Sequence, residues 1–187
     1  MSELTITTAG SVQTATSGFD KRRRRIIRVT PTLSTDAYAQ GDVLFTATEI
    51  PNAVSERGGC SKLVAVYVID QSDITDSDIT LVFSESNEAL GTINATANIS
   101  DADLELLKIT GMAFCDADAA SSGQYTFDTA RVHQVLPLSG TSEDSFPVQL
   151  LQAESNSTSA YVQGVLTSAT TPTYAADDID LVFHIEY

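Results

Sequence analysis

The chain has 187 residues, 42% of them hydrophobic and only two of them cysteine, which is enough apolar material for one sizeable core without disulfides or metals. Its formal charge is −15, and outside residues 20–28 acids outnumber bases 24 to 4, so most of the surface repels nucleic acid and anionic membrane. No run approaches the ~20 apolar residues of a membrane helix, and the N-terminal MSELTITTAG has neither the charged n-region nor the apolar h-region of a secretory signal. The sequence therefore predicts a protein made in a cytosol, which stays there or leaves as part of an assembly. The acidity fits solubility, docking onto a basic partner or tolerance of a salty setting equally well.

Residues 1–20 are rich in Thr, Ser and Gly, with at most a short strand at Leu4–Thr7, and read as an arm that a partner would have to tie down. Lys21, Arg22, Arg23, Arg24 and Arg25 then form a run of five cations, and Ile26, Ile27 and Val29 carry it into a strand ending before Pro31. Two readings compete for this run. It is an electrostatic contact for an acidic partner, or a solvated edge that discourages strand-to-strand aggregation. Nucleic acid is disfavoured, because no aromatic platform or nucleic-acid motif accompanies the cations.

A turn-rich stretch with Thr30-Pro31-Thr32, Tyr38-Ala39 and Gly41-Asp42 leads into a strand at Val43–Ile50, and Gly58-Gly59 turns the chain into KLVAVYVID. Its seven apolar residues from Leu63 to Ile69, rich in β-branched side chains, predict a central strand covered on both faces. Ile79, Leu81 and Phe83 alternate with polar neighbours and predict a second strand, antiparallel to the first across the intervening loop, the pair forming the middle of an antiparallel β-sandwich. Ser100 as cap, Asp101 and Asp103 in the first turn, and Ile99 placed to staple onto Leu104 predict a two-turn helix over Asp101–Lys108, lying across one end of the sandwich.

Ile109–Cys115 reads as a strand, Asp116–Gly123 as a loop, Tyr125–Leu138 as strand material interrupted by Pro137, and Ser139–Ser145 as a flexible loop. Phe146–Ala153 and Ser159–Thr167 are expected to pair across Glu154–Thr158. The chain closes with Ile179, Leu181, Phe183, Ile185 and Tyr187 alternating with mostly polar residues, the cleanest half-buried strand in the sequence. Two weak internal similarities stand out. Ser77–Phe83 resembles Asp177–Phe183, and Thr30-Pro31-Thr32 with Tyr38-Ala39 resembles Thr171–Ala175. Two strands sharing one pattern account for them.

Chemistry is sparse. His133 and His184 sit in strand-like contexts with no nucleophile motif, so no catalytic residue is assigned. Asp70, Asp73, Asp76 and Asp78 form the densest acidic cluster, but the turn Gly and bidentate Glu of an EF-hand loop are missing, so no metal or other cofactor is assigned. Cys60 and Cys115 lack a zinc spacing and read as free thiols in small core positions. The sequons at Asn94, Asn98 and Asn156 follow from the Ser- and Thr-rich composition.

The succession Val29-Thr30-Pro31-Thr32, Tyr38-Ala39, Gly41-Asp42, Gly58-Gly59, Leu63-Val64-Ala65-Val66 and Leu81-Val82-Phe83 resembles small virion structural proteins of tailed bacteriophages. Asn98–Leu104, Pro172-Thr173-Tyr174 and Asp180–Phe183 belong to the same pattern, which spans about residues 26–187. The resemblance implies an all-β protein: an antiparallel, jelly-roll-like β-sandwich of about eight to ten strands with one short helix; the N-terminal arm read from the sequence over residues 1–25 falls outside it. It also implies a non-enzymatic capsid decoration or cement protein, made in the bacterial cytoplasm and carried on the virion. Its partner would be the major capsid protein, and it would form a homo-oligomer, by analogy a trimer. The alternative is a head-fibre or tail module binding carbohydrate or host surface, with Tyr38, Tyr125, Tyr161 and Tyr174 as its available aromatic platforms.

Overall fold

The computed structural model describes residues 23–72, 74–117, 124–137, 145–146 and 148–187. The strand expected at Leu4–Thr7, Lys21, Arg22, Asp73, Asp118 and residues 139–144 of the polar loop lie outside the described residues. The elements in chain order are β1 (Arg24–Val29), β2 (Val43–Ile50), β3 (Cys60–Asp70), β4 (Ile79–Ser84), α1 (Asp101–Leu107), β5 (Ile109–Cys115), β6 (Gln124–Thr126), β7 (Arg131–Pro137), β8 (Ser145–Phe146), β9 (Gln149–Gln152), β10 (Ala160–Leu166) and β11 (Ile179–Glu186).

The strands form two packed sheets. The first runs β1–β11–β3–β7–β6, with β9 also pairing β3 and β8 pairing β7; the second runs β2–β10–β4–β5. Pairing is antiparallel throughout except for the short β7–β8 contact. Reduced to its eight principal strands, this order is that of a jelly roll, in which successive strands mostly alternate between the sheets. β7 and β9 share the place of one strand, meeting successive halves of the same edge of β3.

This topology corrects two expected hairpins. β4 does not pair with β3; the polar connection between them crosses from the first sheet to the second, where β4 lies between β10 and β5. β9 and β10 likewise lie in opposite sheets, β9 on β3 and β10 between β2 and β4. Period-two alternation fixes which face a residue occupies, but any strand with an apolar face satisfies it whoever its neighbour is.

The core lies between the sheets. Ile79, Leu81 and Phe83 of β4 face Ile179, Leu181 and Phe183 of β11, all of them buried, and the Phe83 and Phe183 rings meet edge-to-face at 6.1 Å and 79°. The two similar heptads are thus counterparts on opposing sheets. The second pair of similar stretches, Thr30–Ala39 and Thr171–Ala175, also meets. The Tyr38 N–H donates to the Pro172 carbonyl at 2.9 Å, and the Tyr38 and Tyr174 rings lie 6.0 Å apart. In β10, Gly164 leaves room for the Phe45 ring, since a Cβ there would stand 2.4 Å from it.

β3 is central, but only its core side is fully covered. Leu63, Val66, Val68 and Asp70 are buried, whereas Val64, Tyr67 and Ile69 on the outer side are only half-buried. A bulge opposite His184–Ile185 lets Leu63 and Val66 both turn inward. Helix α1 also departs from expectation. It covers part of the outer face of the second sheet, where Leu107 packs with Val43, Val82 and Leu90, while Leu104 points to solvent. Ser100 caps it, accepting from the Asp103 N–H at 3.2 Å, and Lys108 ends it in the left-handed region at φ 53°. The segment before the helix is pinned by Gln163, fully buried, whose amide accepts from Leu90 N–H and donates to the Glu88 carbonyl, both at 2.9 Å.

Candidate docking surface

β1 is the edge strand of the first sheet and pairs only with β11 among the described residues. The Tyr187 N–H donates to the Arg23 carbonyl at 2.8 Å, extending the ladder by one residue toward the cationic run. Arg24 pairs with Glu186 at 3.0 Å, but the arginine is two-thirds exposed, and such a pair contributes ~0–1 kcal/mol. Alternation sets Arg25 on the opposite side of β1 from Arg24, the side on which Ile27 is buried, so the run is not gathered on one face. Arg24 and Arg25 nonetheless both reach the rim of a shallow depression floored by Ile26, Val64 and His184.

The sequence singled out the five cations but missed the surface beside them. Arg24, Ile26 and Arg28 stand in register with Glu186, His184 and Val182 on the outer face of the sheet. A second depression, lined by Arg28, Tyr67, Ile69, Val132, Val182 and His184, adjoins the first, and the His184 ring lies 5.1 Å from Tyr67. With exposed Lys62 on β3, this makes an apolar face whose rim carries Arg24, Arg28 and Lys62 together with Asp180 and Glu186 of β11. The signal for it was present in Val64, Tyr67 and Ile69, three of the seven residues of a run read as buried on both sides.

The remaining candidates separate. Asp70 is buried, and its carboxylate accepts from the Ser72 N–H at 2.8 Å and the Ser72 hydroxyl at 2.5 Å. Asp78 accepts from the Ala117 N–H at 2.9 Å, and Asp76 is exposed in the left-handed region at φ 63°. Among the described residues no group of three or more His, Cys, Asp or Glu side chains is placed to hold a metal ion, and no helix is long and apolar enough to cross a membrane. His133 is buried on the core side of β7, in register with Val68, and His184 is half-buried on the outer face. The two thiols are not joined. Cys115 is buried as expected, whereas Cys60 is exposed, because it begins β3 on the same outward side as Lys62.

Of the tyrosines, Tyr38 and Tyr174 are core residues. The Tyr38 hydroxyl donates to the Leu44 carbonyl at 3.0 Å, and those of Tyr174 and Ser77 lie 2.6 Å apart. Burial raises both phenols above their ordinary values. Tyr161 is half-buried, and only Tyr125 is widely exposed, its ring 4.8 Å from that of Phe127.

Burial also raises the Asp70 carboxyl above its ordinary value, opposed by the Ser72 hydrogen bonds and by His133. A carboxyl with a raised native pKa binds its proton more tightly folded than unfolded. Its ionisation therefore costs stability as pH rises from about 3.9 through the native pKa. Asp70→Asn, which keeps a carbonyl for Ser72, is expected to be stabilised relative to wild type increasingly as pH rises from about 4 to 7. Urea denaturation across that range reads the difference, and a gap that narrows with rising pH contradicts the assignment. In comparison with known proteins, no family model matches the chain and no curated protein matches it significantly.

Proposed function

We propose that this chain is a non-enzymatic virion structural protein, a decoration or cement protein that docks on the major capsid protein of a tailed-phage head. One observation carries the reading: charge segregation on a jelly-roll body. Arg24, Arg25 and Arg28, with Arg23 just before them, lie on a strand that is a sheet edge among the described residues, on a molecule whose remaining sequence is strongly acidic. An edge strand led into by a cationic segment offers an acidic shell both backbone hydrogen bonds and charge. Contacts that are weak singly become strong when symmetric copies occupy neighbouring sites. The sequence resemblance to virion proteins supplies the identity of the partner.

Replacing Lys21, Arg22, Arg23, Arg24 and Arg25 together with Ser is expected to reduce incorporation into particles that lack the protein and to flatten its salt dependence. Titration onto such particles at several ionic strengths measures both, and unchanged incorporation contradicts the docking role. One observation favours the second reading, a carbohydrate-binding fibre or tail module: the exposed Tyr125–Phe127 pair, which offers stacking surface to a sugar ring. On that reading the isolated protein binds a glycan array, and Tyr125→Ala with Phe127→Ala abolishes the signal. An array without hits removes the reading.

A further inference from the structure

The phase of the β1–β11 ladder decides which backbone groups of β1 stay open. The Tyr187 N–H donates to the Arg23 carbonyl, so Arg25, Ile27 and Val29 are the residues that exchange hydrogen bonds with Ile185, Phe183 and Leu181. The N–H and C=O groups of Arg24, Ile26 and Arg28 therefore point away from β11, toward an edge that no described strand pairs. The side chains of the same three residues are exposed on the outer face, that of Ile26 by 54%. The register against β11 runs without a shift from Arg24 to Val29, so neither a bulge nor a proline blunts this edge.

Given the docking role proposed above, on which this inference rests, we propose that the β1 edge takes an extended acidic segment of the partner as an added strand. An apolar residue of that segment lies opposite Ile26, and carboxylate side chains lie opposite Arg24 and Arg28. Directly opposed residues share one face, so the segment follows an acid–x–apolar–x–acid pattern, its central side chain extending the apolar floor of Ile26 and Val64. β1 itself carries three cations and no acid. The acids of β11 lie one strand further in, ~10 Å from an added strand. Both are engaged: Glu186 pairs with Arg24 at 3.0 Å, and Asp180 accepts from the Gln71 amide at 3.2 Å and from the Thr30 hydroxyl. A second copy does not fit this edge, because β1 set antiparallel to β1 about Ile26 opposes Arg24 to Arg28 twice.

Hydrogen exchange of the full chain, followed amide by amide by NMR, tests this with the capped peptide TETVTET. In the free chain the amides of Arg24, Ile26 and Arg28 should exchange openly, while those of Arg25, Ile27 and Val29 are protected. Near-saturating peptide should slow the three open amides on the order of tenfold. The isomer TTEVETT, which turns both glutamates to the other face, should not. Ile26→Pro carries the test to particles: it keeps every cation and every bond to β11, but removes an open N–H and obstructs an added strand. It should lose incorporation as the five-serine variant does. Amides of Arg24, Ile26 and Arg28 already protected in the free chain, equal protection by TTEVETT, or normal incorporation of Ile26→Pro each overturns the proposal. Normal incorporation of Ile26→Pro beside a failing five-serine variant overturns strand addition alone and leaves docking by charge. Normal incorporation of both removes the docking role as well.

Discussion

Phe183→Ala is expected to cost about 3–5 kcal/mol, a large share of the total stability of a single domain. Phe183 is fully buried and stands edge-to-face with Phe83 across the two sheets. Truncation therefore removes buried apolar surface, leaves a cavity that two hydrogen-bonded sheets cannot close, and abolishes an aromatic pair that adds to area burial. Urea denaturation measures the loss. Because the pair joins the sheets, Phe83→Ala should be of similar size and the double variant less than additive. A loss below about 1 kcal/mol for Phe183→Ala contradicts this packing.

Leu107→Ala comes next, at about 2–5 kcal/mol, but its effect should be local. Leu107 is the one buried residue of a seven-residue helix, a length that does not hold in water without tertiary support. It packs with Val43, Val82 and Leu90, and the Ser86 hydroxyl donates to the Leu106 and Leu107 carbonyls at 2.7 and 3.2 Å. Without its anchor, the helix and the segment leading into it should exchange amide hydrogens faster, while β11 stays protected. Uniform acceleration through β11 would mean that the second cluster is part of the main core instead.

The sequence was most readable where one face is wet and the other dry. β2, β5 and β11 matched their expected ranges, and Ser100 with Asp101 and Asp103 located the helix start, because a cap and a first-turn charge act within a few residues. Partner choice was illegible. Ile79–Phe83 alternates equally well as the hairpin partner of β3 or as a strand of the opposite sheet, and the resemblance alone pointed to jelly-roll order. The run from Leu63 to Ile69 misled about its outer face. An apolar side chain reads as buried from sequence, yet Val64, Tyr67 and Ile69 are only half-covered within this chain. The cations of the candidate docking surface were plain, whereas Arg28 and Lys62 gain meaning only when β1, β11 and β3 lie side by side.

The most direct measurement of the central claim is a cryo-EM reconstruction of the particle that carries this chain, with copy number taken from the same density. The account predicts ordered copies arrayed over the shell, with β1 and the cationic run leading into it set against acidic groups of the capsid protein. A chain found only at a fibre or tail, or never associated with particles, contradicts it.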